Sequence, residues 1–148
     1  MFLLFGFLFM FLFFAIVGIL SQSLEMLINL PSILLIFVPL VFFLFISKSG
    51  SIIGKYITTS FKRNYTHTRA ELEGISVAIK NTNKFILASG GFFCIAFAII
   101  SLGYIGDPEK FGPNLAISLT TLTYSIAICY FVFFPTQAWA ENKINIYK

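Results

Sequence analysis

The sequence predicts an all-α integral membrane protein: four transmembrane helices and a short cytoplasmic helical hairpin, in one membrane domain spanning 1–148. Three observations lead there. Apolar residues make up 58% of the chain, charged residues only 11%, and the mean hydropathy is +0.92. A soluble domain of this size carries about a quarter charged residues, so this chain lacks the polar groups to cover its own surface. Four long stretches are free of charge, and lysine and arginine are distributed unevenly between the connections. The net charge of +4 is therefore read as a topology signal rather than a nucleic-acid footprint.

Residues 1–20 (MFLLFGFLFMFLFFAIVGIL) hold no charged side chain. At about 1.5 Å per residue they reach about 30 Å, the hydrocarbon thickness. A cleaved signal peptide would want a basic leader, yet no Lys or Arg precedes Lys48, so a retained helix is expected. Phe5, Phe7, Phe9, Phe11 and Phe13 alternate as in a strand. A lone strand in lipid, however, leaves its backbone unpaired. The second span is expected at 30–47, with Pro31 near its start and a kink at Pro39. The third is expected at 85–106 and the fourth at 114–134, closed by Pro135, followed by a cytoplasmic tail at 136–148.

Nine basic residues fall on one side: Lys48, Lys55, Lys62, Arg63, Arg69, Lys80, Lys84, Lys143 and Lys148. Only Lys110 falls on the other. The positive-inside rule then puts both termini and the 48–84 connection in the cytoplasm. Within that connection Ile52, Ile53, Tyr56, Ile57 and Phe61 share one helical face. The capping box Thr68-Arg69-Ala70-Glu71 should open a second helix, with Leu72, Ile75 and Ile79 as its apolar stripe. Asn64-Tyr65-Thr66-His67 reads as the turn, with His67 solvated. The expected shape is a hairpin that extends the second and third spans below the membrane. Its basic residues have anionic headgroups as their simplest partners.

No enzymatic constellation is present. One histidine supports neither a histidine metal cluster nor a Ser–His pair, and no glycine-rich phosphate loop or CxxC occurs. Cys94 and Cys129 lie in apolar stretches and read as reduced, buried thiols. All six acidic residues (Glu25, Glu71, Glu73, Asp107, Glu109 and Glu141) lie outside the expected spans. Ion carriers usually hold an intramembrane acid, so any ion this chain helps to move needs a carboxylate from a partner.

The fourth span does carry a pattern. Asn114, Ser118, Thr121, Ser125 and Cys129, at intervals of four, three, four and four, form one stripe, flanked by Thr120 and Thr123. Ser89, Gly90, Cys94 and Ser101 form a weaker counterpart in the third span. Two readings are open: close helix packing, or the lining of a hydrated path.

Residues 107–135, DPEKFGPNLAISLTTLTYSIAICYFVFFP, resemble the third-to-fourth-helix region of flagellar stator subunits in the MotA/TolQ/ExbB family, through Asp107, Pro108, Gly112, Pro113, Ala116, Leu119, Thr121, Tyr124 and Pro135. INLPSILLIF, with Pro31, is similar to the family's entry into its second helix. The resemblance implies a subunit of the bacterial inner membrane that assembles as a homopentamer. Such a ring surrounds two copies of a MotB/TolR/ExbD-like single-span partner, which supplies the aspartate that binds H⁺ or Na⁺. No cofactor is implied. The 48–84 connection replaces the large domain with which stator subunits grip a rotor, Leu87 stands at the family's proline, and Leu122 falls at its channel threonine. Thr121 is then the expected path residue, with Thr123, Thr120, Ser118, Ser125 and Cys94 as further lining candidates. The alternative function is a non-conducting membrane scaffold of the same fold.

Overall fold

A computed structural model describes Leu12 and residues 29–60 and 67–146. The expected first span therefore lies outside the described residues apart from Leu12, as does the turn at 64–66. Among the described residues every regular element is helical. The elements are α1 (Leu30–Ile46), α2 (Ser49–Ser60), α3 (Arg69–Leu102), α4 (Pro108–Ile128), a π-helical segment (Cys129–Phe133) and α5 (Phe134–Ile146). Among the described residues two helices are long and apolar enough to cross a membrane: α3, and the continuous Pro108–Ile146 run. Counting α1 and α2 as one bent pair makes a third.

Local chemistry explains where each helix begins. Asn29 caps α1, its side chain accepting the Ser32 N–H, with Pro31 in the first turn, and the helix runs unbroken through Pro39. The capping box of α3 forms as the sequence predicts: Thr68 accepts the Glu71 N–H, and the Glu71 carboxylate accepts the Thr68 N–H. From there α3 continues for 34 residues, about 51 Å, as a single rod.

Three expectations are corrected. First, α2 does not extend α1 but turns from it by 93°. The Ser47 hydroxyl bonds back to the Phe43 carbonyl, and Lys48 takes a left-handed conformation (φ 53°), so the chain leaves the helical path within two residues. Second, α4 begins at Pro108, not 114. Pro108 has the fixed φ that suits a first helical turn, and Asp107 at the N-cap position pairs with Lys110 at 3.1 Å. Third, Pro135 does not close the helix, and the tail continues as α5 to Ile146. The π segment explains this: the Phe134 N–H reaches back to the Cys129 carbonyl, and this wider register lets the proline ring enter without breaking the helix.

α3 and α4–α5 pack antiparallel, with contacts descending in register from Cys94–Ser118 through Gly90–Ser125 and Asn83–Cys129 to Ser76–Glu141. Two apolar clusters sit along this seam. Leu40, Ile86 and Cys129 join α1 to it. Farther along, Tyr56, Ile75, Ile79 and Ala140 join α2, α3 and α5, flanked by Ile53, Phe133 and Trp139. Outer faces remain apolar: Phe42 and Phe45 on α1, Phe92, Ile95 and Ile99 on α3, and Leu119 and Ile126 on α4 are all exposed. Such faces suit helices surrounded by lipid.

Candidate functional site

The polar stripe of α4 lies inside the subunit. Ser118, Thr121 and Ser125 are fully buried or nearly so, and Cys129 is buried one turn below them. The Ser118 hydroxyl donates to the Cys94 carbonyl at 2.7 Å and lies 3.4 Å from the Cys94 sulfur. Thr121 donates to the Ile117 carbonyl at 2.6 Å, and Ser125 to the Leu122 carbonyl at 2.7 Å. Small residues let the backbones approach: a Cβ built on Gly90 would lie 2.0 Å from the Ser125 hydroxyl oxygen. Each hydroxyl is thus paired and screened from anything outside the subunit.

Ser32, Asn29 and Asn83, at this seam, were not singled out by sequence reasoning. Ser32 of α1 is fully buried and donates to the Ile117 carbonyl at 3.2 Å. Its four-residue spacing to the buried Ile36 and Leu40 was the available signal. Asn29 N–H donates to the Tyr124 hydroxyl at 3.1 Å, so Tyr124 helps to hold the start of α1. The Asn83 amide oxygen is buried beside the π segment with no hydrogen-bond partner among the described residues.

Thr120 and Thr123 lie off the seam. Thr123 is exposed and donates to the Leu119 carbonyl at 2.9 Å; Thr120 is half-buried and donates to the Ala116 carbonyl. Of the hydroxyl-bearing residues of α4, Thr123 is the one that is exposed. Asn114 bonds its own helix at the Lys110 carbonyl. Gly112 and Pro113 stand in the first turns of α4, where a Cβ on Gly112 would meet nothing.

His67 departs from expectation. It is not solvated but 7% exposed, with its ring 5.4 Å from Tyr56 and 6.2 Å from Trp139, edge-on to the latter. Lys143 sits 4.5 Å above the Trp139 ring. Beside this cluster, Lys55 and Glu71 pair at 3.2 Å, and both line a cavity of about 200 Å³. Burial pushes the His67 pKa below its ordinary 6.5; Glu71 opposes the shift, while Lys143 and Lys55 reinforce it. The fold therefore favours neutral His67. That contribution is complete above the unfolded value near 6.5 and is lost as pH falls through the lower folded value. Trp139, the single tryptophan, reports on this contact. Its fluorescence should titrate with a midpoint below 6.5, and His67→Gln should abolish the transition; a transition that survives the substitution would assign it elsewhere.

Among the described residues no cluster of His, Cys, Asp or Glu is arranged to hold a metal ion. No family model matches the chain, and neither a curated protein nor a solved structure matches it.

Proposed function

We propose that this chain is a subunit of an ion-driven membrane motor of the MotA/TolQ/ExbB type. It would form a ring, expected to be a homopentamer, around a single-span partner that supplies the ion-binding aspartate. The observation that carries the reading is the 107–135 segment. Its resemblance to stator subunits rests on residues with defined structural work: Asp107 and Pro108 open α4, Tyr124 ties α4 to α1, and Pro135 follows the π segment. The acid-free spans agree with it, because such a subunit leaves the titrating group to its partner. In this reading residues 1–20 supply the first of four spans. The nine-to-one Lys/Arg asymmetry supports cytoplasmic termini, and the resemblance implies a bacterial inner membrane.

The hydroxyl most available to a desolvated carboxylate is then Thr123, with Thr120 one turn away, because Thr121 is enclosed in its own subunit. Thr123→Val keeps the volume and removes the hydroxyl. In proteoliposomes holding the subunit and a single-span partner with an intramembrane aspartate, it should lower H⁺ or Na⁺ flux about tenfold or more. Thr121→Val should leave flux near the parent level. If neither substitution matters and the parent pair carries no flux, the chain is instead a non-conducting scaffold. That second reading is favoured by Leu122 at the family's threonine position and by the engagement of Ser118, Thr121 and Ser125 in packing.

A further inference from the structure

The corner between α1 and α2 lies at the same depth as a pair of lysines on α3. Phe43 of α1 stacks on Phe85 with ring centroids 4.2 Å apart, so the last turn of α1 runs level with Lys84. Lys48, at the corner, and Lys80 and Lys84, one helical turn apart on α3, are all exposed. None of the three forms an ion pair among the described residues. Beyond Lys84, α3 carries no further charge before Asp107, and before Lys48 the chain carries none back to Glu25. The same level is marked on the neighbouring helix by aromatic rings. Asn83 meets Cys129, and the adjacent Tyr130 and Phe134 are 57% and 65% exposed. An aromatic belt with cations immediately outside an uncharged stretch is the signature of a hydrocarbon–headgroup boundary.

The acids of α3 are set apart from this band, and Glu141 of α5 is held by Ser76 and Gln137. Glu71 and Glu73 lie farther along α3 and are paired with Lys55 and Arg69. Seven helical steps, about 10 Å, separate Glu73 from Lys80. Because α2 turns 93° from α1, it leaves the direction of the span at this boundary instead of carrying Lys48 away from it. Three ammonium groups with no ion pair among the described residues thus remain at the level of this boundary.

From these positions we infer that Lys48, Lys80 and Lys84 form a binding surface for anionic phospholipid headgroups, which fixes the depth of the subunit in the bilayer. The inference rests on the chain crossing a membrane and is independent of the motor reading. Each lysine at an anionic surface is worth a factor of about five in binding.

The test uses the full chain in detergent, supplied with equal amounts of phosphatidylglycerol and phosphatidylcholine, and reads the retained lipids by native mass spectrometry. The parent should retain phosphatidylglycerol preferentially, by about tenfold or more. Lys48→Gln/Lys80→Gln/Lys84→Gln should bring the ratio close to unity, whereas Lys55→Gln/Lys143→Gln should preserve it. Should the triple variant fail to fold, Lys80→Gln/Lys84→Gln changes only an exposed helical face and should still lower the ratio about fivefold or more. A parent without preference overturns the proposal, as does a lysine variant that keeps the full preference or a control pair that loses it equally.

Discussion

Gly90→Ala should separate α3 from α4 and lower the stability of the transmembrane part by about 1–3 kcal/mol, despite alanine's better helix propensity. The new methyl would meet the Ser125 hydroxyl oxygen at 2.0 Å and the Ser125 Cβ at 2.4 Å. Rotating the hydroxyl relieves only the first contact; the second yields only if the helices move. In lipid no hydrophobic driving force favours one helix against another over lipid itself, so the loss of close packing is felt directly. The expected result is a lower thermal midpoint, with stability recovered in Gly90→Ala/Ser125→Gly but not in Gly90→Ala/Ser125→Ala, which retains the obstructing Cβ. Equal midpoints for Gly90→Ala and the parent would remove this contact from the account of the fold.

Ile79→Ala should loosen the other end of the molecule. Ile79 is fully buried in the cluster with Tyr56, Ile75 and Ala140, where α2, α3 and α5 meet. Truncating a buried isoleucine costs about 2–4 kcal/mol, part of it for the cavity left behind. Amide exchange in Ser49–Ser60 and Phe134–Ile146 should therefore rise about 30-fold or more, while the Phe85–Leu102 part of α3 stays protected. Unchanged exchange in α2 and α5 would mean that other contacts hold these helices in place.

The parts of this fold legible in the sequence are those written in local chemistry or in a single period. Thr68 and Glu71 cap α3 through atoms three residues apart, and Leu72, Ile75 and Ile79 recur at helical spacing. The stripe Ser118–Thr121–Ser125 was equally visible as a face. Gly90 and Cys94 were visible as its weaker counterpart on α3, but Ser32, which arrives from α1, was not. His67 has polar chain neighbours and reads as solvated, yet its burial comes from Tyr56 and Trp139, on either side of it in the chain. The 93° corner was hidden because a lysine, not a glycine, takes the left-handed conformation there. The start of α4 was legible and passed over: Asp107-Pro108-Glu109 is a helix-opening sequence, and the apolar residues that follow drew the boundary too late.

The π segment before Pro135 bears on how this chain can change over generations. A π turn holds more residues than an α turn, so deleting one residue within 129–133 would return that stretch to ordinary α geometry. The ring of Pro135 would then press on the carbonyl four residues before it, and the helix would bend or break where it now passes smoothly into α5. Replacing Pro135 alone leaves the wider turn without the ring it accommodates. The proline and the extra residue are therefore a matched pair, and a lineage that discards one comes under immediate pressure to discard the other.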